Sequence, residues 1–299
     1  MKRYLMIMAC LILATASSGH AADQVKFKFL SEATVDAKGA PLIHPEGVVC
    51  TTNSSVVVAD TGNARLVRYT LVNDELKDGA ELKFQQVPYP IRARANSKGE
   101  LFVLDGKIRT IFRIGADGTL IGSLDPASIP PPANFEPRSM AIDRSDTIYI
   151  LDVYGERILV LDPTGKYQRQ VPLPKGDGFF SDLNVDSRGN MFLVDSLNGQ
   201  VFKAAKDAPA FQVIAKGLEA YLYFGVNIET DKQGRIFLLD QNEGAVILLG
   251  QDGSFQGRYL TIGWKKGQLY YPSQGCMTED GKFVVADRNN NRVQLFQVQ

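Results

Sequence analysis

Short runs of β-branched and aromatic residues recur along the chain, and each ends on an aspartate. Val56-Val57-Val58-Ala59 precedes Asp60, Phe102-Val103-Leu104 precedes Asp105, and Ile148-Tyr149-Ile150-Leu151 precedes Asp152. Phe192-Leu193-Val194 leads to Asp195, Phe237-Leu238-Leu239 to Asp240, and Phe283-Val284-Val285-Ala286 to Asp287. Runs this short, rich in strand formers and bounded by glycine or polar turns, predict strands. The turns Lys98-Gly99, Arg188-Gly189, Gln233-Gly234 and Asp280-Gly281 separate each run from an earlier strand. A polar turn after the aspartate leads into a third strand, and a looser fourth follows. Helical periodicity is absent, which disfavours a helical solenoid.

The six aspartates are spaced by 45, 47, 43, 45 and 47 residues. Self-similarity near this period, built of short strands, predicts an all-β, six-bladed β-propeller with one four-stranded sheet per blade. The aspartates themselves are read as structural. A carboxylate after the second strand accepts hydrogen bonds from the next turn, and Arg65, Arg157 and Arg292 stand ready to pair with such groups. A feature present in most copies holds blades, so function is sought where copies differ.

The first copy carries Pro45-x-Gly47 and Asp60-Thr61-Gly62-Asn63-x-Arg65, and the last carries Asp287 with Asn291-Arg292. The linker Gly263-x-x-x-Gly267-x-Leu269-x-x-Pro272 precedes that last copy. On these residues the chain resembles the NHL family of six-bladed propellers over about residues 40–297. The turns after Asp195 and Asp240 depart from the pattern by lacking the arginine.

The sixth copy ends near the C-terminus without a fourth strand. The alternating segment Val25-Lys26-Phe27-Lys28-Phe29-Leu30 supplies one, so the last blade is expected to be closed by the N-terminal strand. Cys50 and Cys276 fall on the innermost strands of the first and sixth blades, which become neighbours on closure. Opposite parity lets them face each other, but two small buried thiols are favoured over a disulfide at this point.

Lys2 and Arg3, an apolar run from Tyr4 to Ala16, and small residues up to Ala22 describe a secretory signal peptide. Residues 1–22 are thus expected to be removed, and residues 23–299 to form the propeller in the periplasm or outside the cell. An uncleaved N-terminal anchor is the other reading. The full chain of 299 residues has 33 basic and 33 acidic residues. Loss of Lys2 and Arg3 leaves 31 basic, so nothing suggests a nucleic-acid partner. One histidine, His44, remains, which excludes a multi-histidine zinc site and leaves a Ser-His-Asp triad unsupported.

In such propellers the first strand of each blade lines a central channel. Its varied polar residues are Glu46, Arg92, Arg94, Arg138, Asp182, Asn184, Asn227, Glu229 and Gln274, the candidate ligand-binding set. Val48, Ala93, Met140, Leu183 and Ile228, of opposite parity, read as packing between blades. Arginines in blades two and three favour a small anion, and acidic groups in blades one, four and five favour a hard cation. The two sides are equally able to neutralise one another. Phe180, Tyr223, Trp264 and Tyr270, before the inner strands of blades four to six, are a candidate partner surface.

The favoured function is an exported, monomeric binding or scaffold propeller with no cofactor, engaging an envelope protein or small anionic ligand at the channel mouth and loop face. The alternative is a hydrolase resembling the gluconolactonase propellers. There a divalent cation held by Glu46, Asp182 or Asn184, and Asn227 or Glu229 would polarise a lactone carbonyl.

Overall fold

A computed structural model describes residues 25–299, so the expected signal segment lies outside the described residues. Each recurring run becomes a strand, and the described residues form 24 strands in six four-stranded sheets. Strands within a blade are antiparallel and are named A to D from the axis outward. The A strands are Pro45–Cys50, Pro90–Ala95, Pro137–Ile142, Phe180–Val185, Gly225–Thr230 and Gln274–Met277.

The B strands of blades two to five, such as Leu101–Asp105 and Ile148–Asp152, are buried at every position. Each sheet is covered on both faces by neighbouring blades, so its central strands read as unbroken apolar runs. One core cluster joins Val56, Val58 and Val67 of blade one to Val284, Ala286 and Leu295 of blade six. The outer D strands alternate instead, as Tyr167–Pro172 does, because one face meets solvent.

The ring closes as expected. Phe27–Ala33 pairs antiparallel with the C-terminal strand Arg292–Val298, matching Phe27 to Val298 and Phe29 to Phe296. Phe27 then sits edge-on to Phe237, Phe283 and Phe296, with ring centroids 6.2–6.4 Å apart. The two cysteines correct the expectation of free thiols. Cys50 and Cys276 form a disulfide, their Cα atoms 5.7 Å apart. Closure brings adjacent inner strands within bridging distance, and the one-residue offset turns the two side chains toward each other.

The repeated aspartates tie two loops together in every blade. Asp60 accepts from Ile43 N at 2.7 Å, from Asn63 Nδ2 at 2.7 Å and from Arg65 Nε at 2.7 Å. Asp152 and Asp287 take Arg157 and Arg292 in the same way. Where the arginine is missing, backbone N–H groups of the turn fill the carboxylate, as Leu197 and Asn198 do for Asp195. The carboxylate therefore fastens the loop entering strand A to the B–C turn beside it.

Candidate functional site

Strand A carries the same irregularity in blades one to five. Its register against strand B shifts between Pro45 and Gly47, Pro90 and Arg92, Pro137 and Ser139, Phe180 and Asp182, and Gly225 and Asn227. A bulge adds one residue and re-aims it. The extra residues are Glu46, Ile91, Arg138, Ser181 and Val226, and all five line one mouth of the channel together with Ser273. This mouth opens among the loops entering strand A and the B–C turns, which share one end of every blade. It is called the loop face.

One layer deeper lie Gly47, Arg92, Ser139, Asp182, Asn227 and Gln274, each opposite the residue preceding the repeated aspartate of its own blade. Asp182, Asn227 and Gln274 are fully buried. Their oxygens accept from the inner strand of the next blade: Asp182 from Ile228 N at 3.0 Å, Asn227 from Gly275 N at 3.0 Å, and Gln274 from Val48 N at 3.3 Å. Inner strands splay around the axis and cannot pair with one another, so these side chains satisfy N–H groups that would otherwise be orphaned. Asp182 also accepts from Asn227 Nδ2 at 2.7 Å and from the Ser139 hydroxyl. Gly47 completes the layer because a Cβ there would stand 2.9 Å from Ala59 Cβ and 3.1 Å from Arg92 Cα.

The charged groups of the channel face one another. Arg92 Nη1 lies 3.8 Å from Asp182 and Arg94 Nη2 lies 3.9 Å from it. Arg94 Nη1 reaches Glu229 Oε1 at 3.1 Å. Arg92 also donates to Val226 O at 2.8 Å and Arg94 to Met140 O at 3.0 Å. Asn184 donates to Glu229 Oε2 at 3.0 Å. Burial pushes the Glu229 carboxyl up to about 7; Arg94 pulls it down and Asp182 adds to the rise. Together these residues form a plug that divides the channel.

The nine residues expected to share one ligand site are thus distributed over three levels. Glu46, Arg92 and Arg138 line the loop-face mouth, a cavity of about 270 Å³. Asp182, Asn227 and Gln274 lie in the plug. Arg94, Asn184 and Glu229 floor a separate cavity of about 250 Å³ at the opposite end, beside the Cys50–Cys276 disulfide. The oxygens considered for a divalent cation are divided in the same way, Glu46 at one mouth and Glu229 at the other. A set that needs both Glu46 and Glu229 therefore does not converge on one ion.

The loop-face mouth differs in character from the plug. Glu46 pairs with Arg288 at 3.2 Å, and burial raises its carboxyl against the pull of Arg288 and Arg92. The Arg138 guanidinium lies over the Phe179 ring, 4.3 Å from its centroid, and Phe179 packs on Phe224 at 5.9 Å. Burial, with Arg109 nearby, lowers the pKa of Arg138. No carboxylate of the described residues approaches Arg138 within ion-pair distance. Its one hydrogen bond is to Phe180 O at 3.4 Å.

At the same end of the molecule the loops expose Trp264 at 78%, Tyr223 at 69% and Tyr270 at 38% of their surface. Phe180 is a correction. It is buried and meets Phe202 edge-on at 5.7 Å, because it occupies the position that proline holds in blades one to three and pairs with Asp195. Its neighbour Phe179 faces the mouth instead, and Tyr154 and Leu197 add to the exposed apolar surface at the same end.

No protein-family model matches the chain, and no curated protein matches it. Solved structures do. A streptogramin B lyase is 12% identical over 92% of this chain and 97% of its own, with a TM-score of 0.63. An auxiliary nutrient binding protein from Bacteroides ovatus ATCC 8483 is 12% identical over 92% of this chain and 76% of its own, with a TM-score of 0.67. A protein assigned as a gluconolactonase is 14% identical, covers 93% of each chain and has a TM-score of 0.66. At these identities the likeness shows the six-bladed fold. The chain's structural neighbours thus include lyase, lactonase and nutrient-binding propellers, and none of its described helices is long and apolar enough to cross a membrane.

Proposed function

We propose that this protein is an exported, NHL-like propeller that works by binding, engaging a protein or small ligand at the loop face and its channel mouth. One observation carries the reading. The charges deeper in the channel face one another, whereas the loop face exposes Trp264, Tyr223, Tyr154 and Leu197 and opens into a mouth whose Arg138 has no acidic partner. Exposed aromatic side chains on loops held by a rigid scaffold are suited to recognition, because they bury large area with little entropy to lose.

The test is recovery of partners from a periplasmic or culture-medium fraction with tagged protein. The double variant Trp264→Ser, Tyr223→Ser is expected to lose partners that the wild type retains. A variant on the opposite face, Arg144→Ser with Lys232→Ser, is expected to keep them. Equal recovery by both variants counts against the loop face as the contact surface.

A further inference from the structure

We infer that the loop-face mouth binds a monocarboxylate carried on an apolar body, with Arg138 taking the carboxylate and Phe179 and Phe224 enclosing the body. The inference deepens the reading of this mouth as a binding site and rests on it.

The walls of the mouth dictate the chemistry. Ile91, Val226, Phe179 and Phe224 supply apolar surface, and Ser181, Ser273 and Gln241 supply neutral polar groups. Three charged groups remain. Glu46 is answered by Arg288 at 3.2 Å, and Arg92 is turned toward Asp182 and bonded to Val226 O at 2.8 Å. Arg138 alone among them has no acidic partner, and it is half-buried. A desolvated guanidinium without a counter-ion is costly, and an incoming anion relieves that cost.

Arg138 lies over the Phe179 ring, and of its N–H donors only Nη1 makes a hydrogen bond, to Phe180 O, which leaves the forked Nε–Nη2 edge unpaired. A forked edge of that kind fits the two oxygens of a carboxylate. A phosphate dianion fits less well. It brings two charges to one open cation, and the Glu46 carboxylate in the same cavity repels it. The cavity volume of about 270 Å³ suits a small molecule or the last residue of a peptide, not a longer chain.

Two sources carry this chemistry, a free aryl or alkyl acid and the C-terminal end of a peptide. Calorimetric titration of the full propeller separates them. The probes are 3-phenylpropanoate, its amide, inorganic phosphate, and the tripeptide Gly-Gly-Phe with a free or an amidated C-terminus. At least one free-carboxylate probe is expected to bind, and its amide to bind roughly tenfold more weakly or worse, the usual cost of losing a charge-assisted pair.

Arg138→Gln is expected to remove that preference for the acid, Arg138→Lys to restore part of it, and Phe179→Leu to weaken both acid and amide. Binding of 3-phenylpropanoate but not the peptide assigns a free acid; the reverse assigns a chain end. The inference is overturned if neither free-carboxylate probe binds, if acid and amide bind alike, if phosphate binds as well as the acid, or if Arg138→Gln changes nothing while its thermal unfolding matches wild type. Neither Trp264 nor Tyr223 lines this cavity. Failure here therefore leaves the broader test of the loop face standing on its own.

Discussion

Glu229 faces Arg94 across the channel floor, Oε1 to Nη1 at 3.1 Å, and both side chains are buried. Their contact has ion-pair distance without hydrogen-bond alignment, since Glu229 Oε1 makes no hydrogen bond. Arg94 is therefore only a partial compensation, which is why burial still lifts Glu229 to about 7.

That shift gives a pH dependence with a definite sign. In the folded chain Glu229 keeps its proton up to about 7, whereas an unfolded glutamate loses it near its ordinary 4.5. The native state therefore binds more protons between those values. Stability falls as pH rises through this window and levels off above it. Glu46 and Asp287 are raised by burial and act in the same direction. Asp36, Asp162 and Asp252 are lowered and act oppositely at more acid pH. Glu229→Gln isolates one contribution. Its stability relative to wild type is expected to improve from pH 4.5 to pH 7 by up to about 3 kcal/mol, the linkage value of such a shift. Urea midpoints of both proteins across that range measure it, and parallel curves would rule the idea out.

Asp182 is the hub of the plug. Replacing it with alanine strips Arg92 of its counter-charge, leaves Arg94 with Glu229 alone, and removes the acceptor of Ile228 N and the Asn227 amide. Breaking a buried ionic group by removing one partner costs about 3–5 kcal/mol. Asp182→Asn keeps the shape and one acceptor, so it is expected to cost less. Chemical denaturation ranks the three proteins; an alanine variant as stable as wild type would show that the plug is not held by this carboxylate.

The disulfide closes a loop with a sequence separation of 226 residues. Chain-entropy arguments give about 5 kcal/mol for a loop of that length, an upper figure because the unfolded chain keeps some structure. The Cys50→Ser, Cys276→Ser double variant is expected to lose several degrees of thermal stability while keeping a folded ring, since pairing of the N-terminal strand still closes it. The same loss is expected of wild type under dithiothreitol. Identical unfolding temperatures with and without reductant would remove the disulfide from any account of stability.

The blade count, the structural aspartates and the closing strand were legible because each depends on local alternation and a fixed period. Val48, Ala93, Met140, Leu183 and Ile228 are buried between blades as their parity requires. The division of the channel was not legible. A bulge at Glu46 and Arg138 swings those side chains to the mouth, and nothing in the alternation announces it. Phe179, not Phe180, faces outward because blade four places Phe180 where earlier blades place proline, opposite Asp195. The hydrogen bonds that Asp182, Asn227 and Gln274 accept from the next blade depend on the angle between sheets, which a linear pattern does not contain. The disulfide required a Cα separation that only closure sets.

The most consequential pairing joins the two ends of the described residues. Phe27–Ala33 covers the outer edge of Arg292–Val298, and Lys26 and Gln299 extend the ladder with two backbone hydrogen bonds of 3.0 Å. Without it, blade six would present an unpaired edge beside Tyr259, Phe283 and Phe296, which now pack on Phe27. Such an edge pairs readily with other chains. Deleting residues 25–33 is therefore expected to lower the unfolding temperature and to shift the protein toward larger oligomers or aggregates than the intact chain forms. Phe27→Ala, which keeps the backbone ladder, is expected to cost about 2–3 kcal/mol and leave the oligomeric state unchanged, since it removes one half-buried ring and no edge. Light scattering after size exclusion, with thermal unfolding of both variants, separates the ladder from the ring. A truncated protein that keeps the oligomeric state of the intact chain and melts with wild type would mean that blade six stands on three strands.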